Sequence, residues 1–183
     1  MSSNHLSKLL SLVLRHQPQQ LGIDLDAGGW ADIDQLLQQF NASGNTLSQQ
    51  QLLTLVADSD KQRFAISTDS KKIRANQGHS FAVDLGLAPQ IPPDVLLHGT
   101  AHRFLAAIQA EGLQKMARQH VHLTEHHDAA LAVGKRYGKP VLLQIDAAAM
   151  AAAGHTFYQS ANHVWLTDHV PPHFIHVVKE CCA

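Results

Sequence analysis

Cysteine is nearly absent. The only two, Cys181 and Cys182, are adjacent at the end of the chain, where they can build neither a disulfide framework nor a metal cage by themselves. Aromatic residues are 5% and charged residues 16% of 183 positions, without a run of like charge. The chain is therefore neither a disordered polyelectrolyte nor a bulk neutraliser of nucleic acid. Neither sign dominates locally: residues 1–90 carry 7 basic and 8 acidic side chains, and residues 91–183 carry 7 and 7. Any contact with RNA or DNA must come from placed residues. Apolar stretches are short and broken by Asp, Gln and His, which excludes a membrane-spanning segment, and the N-terminal residues lack the basic-then-apolar pattern of a secretory leader. A cytoplasmic location is expected. What the chain does have is histidine, 14 in all, as many as Lys and Arg together. Histidines that cluster can serve metal binding, proton transfer or phosphate contacts.

At 20.0 kDa and 45% hydrophobic residues, the chain can bury a core as one domain or two small ones. Leu6, Leu9, Leu10, Val13 and Leu14 repeat at helical spacing, and Pro18 stops that helix by Gln17. Arg15 and His16 then fall at a helix C-terminus. Asp32 with Gln35 predicts a capped short helix through Leu36, Leu37 and Phe40, and Ser48 with Gln51 a capping box before Leu52, Leu53, Leu55 and Val56. Beyond Asp58 the period changes to two, in 63–66 and 72–75, with Thr68-Asp69-Ser70 turning between them. Three helices and then a hairpin is the order of a winged-helix module. The Gly- and Pro-containing stretch 83–93 reads as a linker, placing a boundary near 90 between a first lobe, 1–90, and a second, 91–183. The second reads as strand 95–97, helix 103–110 ended by Gly112, strand 121–123, helix 128–137, strand 141–145, helix 147–153 closed by Gly154, and strands 164–166 and 174–178. The class expected is α+β.

Five segments could carry chemistry. Arg15-His16 can reach a phosphate from a chain break, although cations at a helix C-terminus also simply favour the helix dipole. The segment Ile73 to Ser80 ends the hairpin with Arg74, and Gly78 beside His79 and Ser80 leaves room for backbone to approach a ligand. An ordinary strand with a solvated arginine would read the same. In Leu97-His98-Gly99-Thr100 a strand stops and a small-residue turn opens a helix, suiting a phosphate or sugar edge; a core histidine and a capping threonine are the alternative. The segment Met116 to Thr124 would put His120 and His122 on one strand face with His126 and His127 nearby. Zinc is disfavoured there, since no helical His pair, cysteine or spaced carboxylate completes a site and Arg118 would repel the cation. Phe157 to Thr167 could line a nucleotide pocket or be a buried strand with Trp165 in the core.

Taken together, these segments resemble the RNA 2′-phosphotransferase family from about Leu6 to Phe174. The resemblance is carried by Leu14-Arg15-His16 with Pro18, Leu25-Asp26 with Gly29-Trp30, Asp60 to Phe64, Ile73-Arg74-Ala75 with Gln77 to Ser80, His98-Gly99-Thr100, Arg118 with His120 to Leu123, and Asn162 with Val164 to Thr167. It implies a winged-helix lobe followed by an ADP-ribosyltransferase-like lobe. It also implies that Arg15, His16, Arg74 and Arg118 handle a phosphate, and that His98, Gly99, Thr100, His120, Thr124, Arg136 and Asn162 hold NAD. The family usually has Gly where His163 stands, Ser at Thr124 and often Tyr at Leu97.

The activity so implied is removal of an internal RNA 2′-phosphate, as in tRNA splicing, with NAD consumed as co-substrate, no metal, and a monomeric protein. Permanent, planar guanidinium charges suit one phosphate better than lysine does. Two rival readings remain. A winged-helix nucleic-acid-binding protein would leave the second lobe idle, and the helices at 34–40 and 49–56 carry no Arg or Lys to grip a backbone. An ADP-ribosyltransferase acting on protein or on terminal nucleic-acid phosphates would, if protein-modifying, commonly use a glutamate that 162–167 lacks.

Overall fold

A computed structural model describes residues 3–178; Cys181 and Cys182 lie outside them. The chain divides into two compact units, Met1–Gly86 and Leu87–Ala183. Both combine helices with small antiparallel sheets, so the class is mixed α and β.

The first unit opens with helix α1 (Ser3–Arg15), whose Leu10, Val13 and Leu14 are fully buried, with Leu6 and Leu9 packed beside them. The apolar stripe therefore faces the core as its spacing predicts. After α1, Pro18–Leu21 makes one 3-10 turn. Strand β1 (Trp30–Asp32) leads directly into α2 (Ile33–Ala42), and the Asp32 carboxylate accepts the Gln35 amide at 2.9 Å. Helix α3 (Gln49–Ala57) starts in the expected capping box between Ser48 and Gln51. Strands β2 (Phe64–Ile66) and β3 (Lys72–Ala75) form the hairpin. The sequence pattern missed β1, which pairs with β3 and makes β3 central, in the order β1-β3-β2. Trp30-Ala31-Asp32 sits between the Gly28-Gly29 turn and the Asp32 cap of α2, so its sequence reads as turn and cap rather than strand.

The second unit has a four-stranded sheet, β4-β9-β10-β7, a three-stranded sheet, β12-β8-β5, and a two-stranded ribbon, β11-β6. Its strands are β4 (Pro89–Gln90), β5 (Val95–Ala101), β6 (Leu113–Gln114), β7 (Val121–Leu123), β8 (Pro140–Asp146), β9 (Phe157–Gln159), β10 (Trp165–Thr167), β11 (His169–Val170) and β12 (Ile175–Val178). Its helices are α4 (Leu105–Glu111), α5 (His127–Gly134) and α6 (Ala147–Ala152). Three expectations are corrected here. Segment 83–93 is not wholly irregular, because Pro89 and Gln90 pair with Tyr158 and Phe157. Helix 128–137 ends at Gly134. Segment 157–167 is two strands joined by a turn.

The largest correction concerns Leu97-His98-Gly99-Thr100, which is not a turn opening a helix. All four residues lie inside β5, paired with β8 through Ala101↔Pro140. Gly99 is required by close approach: a Cβ there would overlap the Ala130 carbonyl of α5. A Cβ on Gly134 would lie 2.5 Å from the Thr100 carbonyl. Two glycines thus let α5 sit directly on β5. Leu97 and Thr124 exchange backbone hydrogen bonds of 2.7 and 3.0 Å, joining β5 to the end of β7.

Candidate active site

In the first unit four segments meet around Arg74. Register puts Arg74 directly opposite Trp30 on one side and Ala65 on the other. The guanidinium carbon lies 4.5 Å from the Trp30 ring centre, and Nη1 donates to the Gly28 carbonyl at 3.4 Å. The loop offering that carbonyl is built by Asp26, whose Oδ1 accepts the Gly28 and Trp30 amides at 3.0 Å each and whose Oδ2 accepts from Lys72 Nζ at 3.0 Å. Partial burial opposes ionisation of Asp26, but these donors outweigh it and lower its pKa. Burial lowers the pKa of Arg74 and nearby Asp26 opposes that shift. A half-buried guanidinium is therefore held by a carbonyl oxygen and a π face rather than by a carboxylate, leaving its charge for an anion.

Arg15 is the last residue of α1, half-buried, and its Nη2 donates to the Arg63 carbonyl at 3.5 Å. His16 follows it and is exposed. The Arg15 carbonyl accepts the Ser80 amide at 2.9 Å, which ties the segment after β3 to the end of α1. That tie carries His79 into the interior, 1% exposed, with neither ring nitrogen meeting a hydrogen-bond partner among the described residues. Its ring packs edge-on against Phe81, with centroids 5.8 Å apart. Burial, reinforced by Arg15, His16 and Arg74, pushes its pKa down to about 4. A Cβ at Gly29 would fall 2.8 Å from Val83 Cγ1 and 3.3 Å from His79 Nε2, so the tight turn at 26–30 packs closely on Val83 and His79. Arg15, His16 and Arg74 are thus brought into one electrostatic neighbourhood, together with a neutral buried imidazole.

In the second unit His98, on β5, donates from Nδ1 to the His122 carbonyl at 3.0 Å, since a carbonyl can only accept. Burial lowers the His98 pKa, the carbonyl opposes that shift, and Arg118 adds to it. Arg118 Nη1 donates to His122 Nδ1 at 2.9 Å. Arg118 and His98 therefore flank the same histidine, one at its ring and one at its carbonyl. Thr100 is 6% exposed at the inner end of this strand segment. His120 lies edge-on to Tyr158, with centroids 5.8 Å apart, and burial lowers its pKa. Thr124 Oγ1 accepts the His126 amide at 3.1 Å ahead of α5.

Of the remaining sequence candidates, Asn162 and Trp165 have structural duties. Asn162 Oδ1 accepts from Ser160 Oγ at 2.8 Å within the β9–β10 turn. Arg136 is exposed in the turn after α5. Trp165 is buried, and its indole donates to Glu125 Oε1 at 2.8 Å. Among the described residues no group of three or more His, Cys, Asp or Glu could hold a metal ion. No helix of the described residues is long and apolar enough to cross a membrane.

Sequence reasoning assigned no role to Asp26, Trp30 or His79. Asp26-x-Gly28 is a local turn signal, since Asp ahead of Gly marks a turn, and all three residues stand in motifs that carry the family resemblance. The Trp30–Arg74 pairing needs the β1–β3 register.

Residues 1–169 match the profile of the RNA 2′-phosphotransferase, Tpt1/KptA family. A probable RNA 2′-phosphotransferase of Hahella chejuensis is 56% identical over 169 residues, covering 92% of this chain and 91% of the relative. One from Acaryochloris marina is 52% identical over 169 residues, covering 92% and 93%. One from Agrobacterium fabrum is 51% identical over 181 residues, covering 99% and 97%. A match of this extent makes the chain a member of the RNA 2′-phosphotransferase family.

Proposed function

We propose that the protein is a transferase that removes an internal RNA 2′-phosphate with NAD as co-substrate, acting through a winged-helix lobe over 1–90 and an ADP-ribosyltransferase-like lobe over 91–183. A 2′-phosphate oxygen attacks C1″ of the nicotinamide ribose and the glycosidic bond to nicotinamide breaks. The ribose 2″-OH then attacks phosphorus, and the bond to the RNA 2′-oxygen breaks. That oxygen takes a proton, leaving 2′-OH RNA and ADP-ribose 1″,2″-cyclic phosphate. Arg15, Arg74 and Arg118 are the phosphate ligands. His16, exposed beside Arg15, either protonates the departing 2′-oxygen or donates a hydrogen bond to the phosphate.

His98, Gly99, Thr100, His120, Thr124, Arg136 and Asn162 are assigned to NAD. Their chemistry fits a dinucleotide: the His98 Nδ1 bond to the His122 carbonyl turns Nε2 toward other partners, and Thr100 and Asn162 are neutral hydrogen-bonding side chains. Gly99 serves indirectly, by admitting α5 against β5.

The observation that carries this reading is Arg74, half-buried and braced by Trp30 and the Gly28 carbonyl, with no carboxylate in salt-bridge contact among the described residues. A guanidinium so placed is prepared for an anion before the anion arrives. Incubation with NAD and a 2′-phosphorylated oligonucleotide tests it. Nicotinamide release with 2′-OH RNA supports the reading. A stable adduct as sole product favours an ADP-ribosyltransferase acting on phosphates, and binding without nicotinamide release favours a nucleic-acid-binding protein.

A further inference from the structure

Phe104 and Tyr137 are the exposed aromatic side chains among the described residues, and they touch each other. They are 40% and 47% exposed, with ring centroids 6.3 Å apart at an interplanar angle of 71°. The Arg103 guanidinium carbon lies 4.7 Å from the Phe104 ring centre. The pair belongs to two loops fastened at one end of the β5–β8 ladder. The turn His102–Phe104 follows β5, the turn holding Tyr137 precedes β8, and the His102 amide donates to the Lys139 carbonyl at 2.9 Å. Val133, 38% exposed, and the exposed Lys135 and Arg136 precede Tyr137 in the chain. Neither 102–107 nor 131–140 contains Asp or Glu.

An apolar protein partner would bury these rings but strand the cations beside them. Single-stranded nucleic acid offers a π face to the rings and a phosphate to the cations in alternation, and it is drawn to segments that carry cations and no acids. The patch is also connected to the NAD-assigned strand: Ala101 lies three residues from His98 on β5, about 10 Å.

We propose that this face of the second unit binds the single-stranded RNA flanking the 2′-phosphorylated nucleotide, with a base stacked on Phe104 and Tyr137 and backbone phosphates on Arg103 and Lys135. The proposal rests on the phosphotransferase reading above. Arg136, already assigned to NAD, is left unaltered in the test.

Steady-state constants are measured for the wild type, Tyr137→Ala and Lys135→Glu with two substrates. One is a 2′-phosphorylated dinucleotide and the other a 2′-phosphorylated single strand of about ten nucleotides, within the range of single-strand binding sites. Both substitutions are at exposed positions, and melting temperatures verify folding. With the long substrate, Tyr137→Ala is expected to raise KM roughly tenfold, the loss of one stacking contact, and Lys135→Glu to raise KM and flatten its salt dependence. The KM for the dinucleotide, the KM for NAD and kcat are expected to hold. An equal rise with both substrates, a rise in the KM for NAD, or unchanged constants with the long substrate overturns the proposal. If the wild type releases no 2′-phosphate from either substrate, the phosphotransferase reading falls. Fluorescence anisotropy with an unphosphorylated ten-nucleotide strand then decides the patch separately: weaker binding by both variants upholds it, and equal binding removes it.

Discussion

Trp30 and Arg74 face each other across the β1–β3 pair, with the guanidinium carbon 4.5 Å from the ring centre. An aromatic face fixes the plane of a guanidinium without neutralising it, which a carboxylate would do. Trp30→Ala is therefore expected to lower kcat/KM for 2′-phosphate removal about tenfold, the worth of a partly desolvated cation–π contact. Trp30→Phe should recover most of the loss. Equal losses in the two variants would show that the ring does not act through Arg74.

His79 makes the stability of the first unit depend on pH. Its folded pKa of about 4 lies below the ordinary 6.5. Between those values the unfolded chain binds a proton that the folded chain does not. Stability from this group is complete above about pH 6.5 and is lost as pH falls through 4, in all about 3 kcal/mol. Melts of wild type and His79→Leu across that window should diverge, with the wild type falling more steeply. Parallel curves would mean the imidazole is not excluded from water as the structure has it.

His163 holds the left-handed conformation, φ +59°, in the turn where its amide donates to the Ser160 carbonyl at 2.9 Å. An L side chain pays for that conformation and glycine does not. His163→Gly should stabilise the protein by about 1 kcal/mol, raising Tm by roughly 2–4 °C for a chain of this size. A lower Tm would show that the imidazole makes a compensating contact.

Gly99→Ala should have the opposite effect, because the new methyl would overlap the backbone of α5 rather than a side chain that can swing away. A loss of about 3 kcal/mol or more is expected, the upper range for overpacking, read as a large fall in Tm and in NAD turnover together.

Arg118→Ala and His16→Ala should stall turnover after nicotinamide release if both groups serve the second step, so that RNA–ADP-ribose accumulates. Losing one preorganised donor to developing charge slows a step roughly 10²–10³-fold, enough to trap the adduct on a gel. Its absence in a variant removes that residue from the second step. EDTA should leave the rate unchanged, and metal-dependent turnover would reopen the His120–His122 segment as a ligand set.

Helices α1, α2 and α3 were legible from residue spacing because a helix advertises its buried face every three or four residues and its start by a cap such as Ser48 with Gln51. The order of motifs likewise points to the family whose profile matches residues 1–169. Four of the short strands left no such trace. β1, β4, β9 and β11 hold two or three residues each, and their existence depends on partners far along the chain. The turn expected at His98-Gly99-Thr100 failed for a related reason. Small residues permit either a sharp turn or a close helix, and only the position of Ala130 selects the second.

By itself the amino-acid order determined which guanidinium and imidazole groups were available and which helices would present them, since capping and periodicity are local. Tertiary structure alone decided that Trp30 braces Arg74, that Ser80 draws His79 out of water beside Arg15, and that Arg118 and His98 share His122. Each of these depends on strand register or chain tethering, which set distances between residues that sequence separation does not encode.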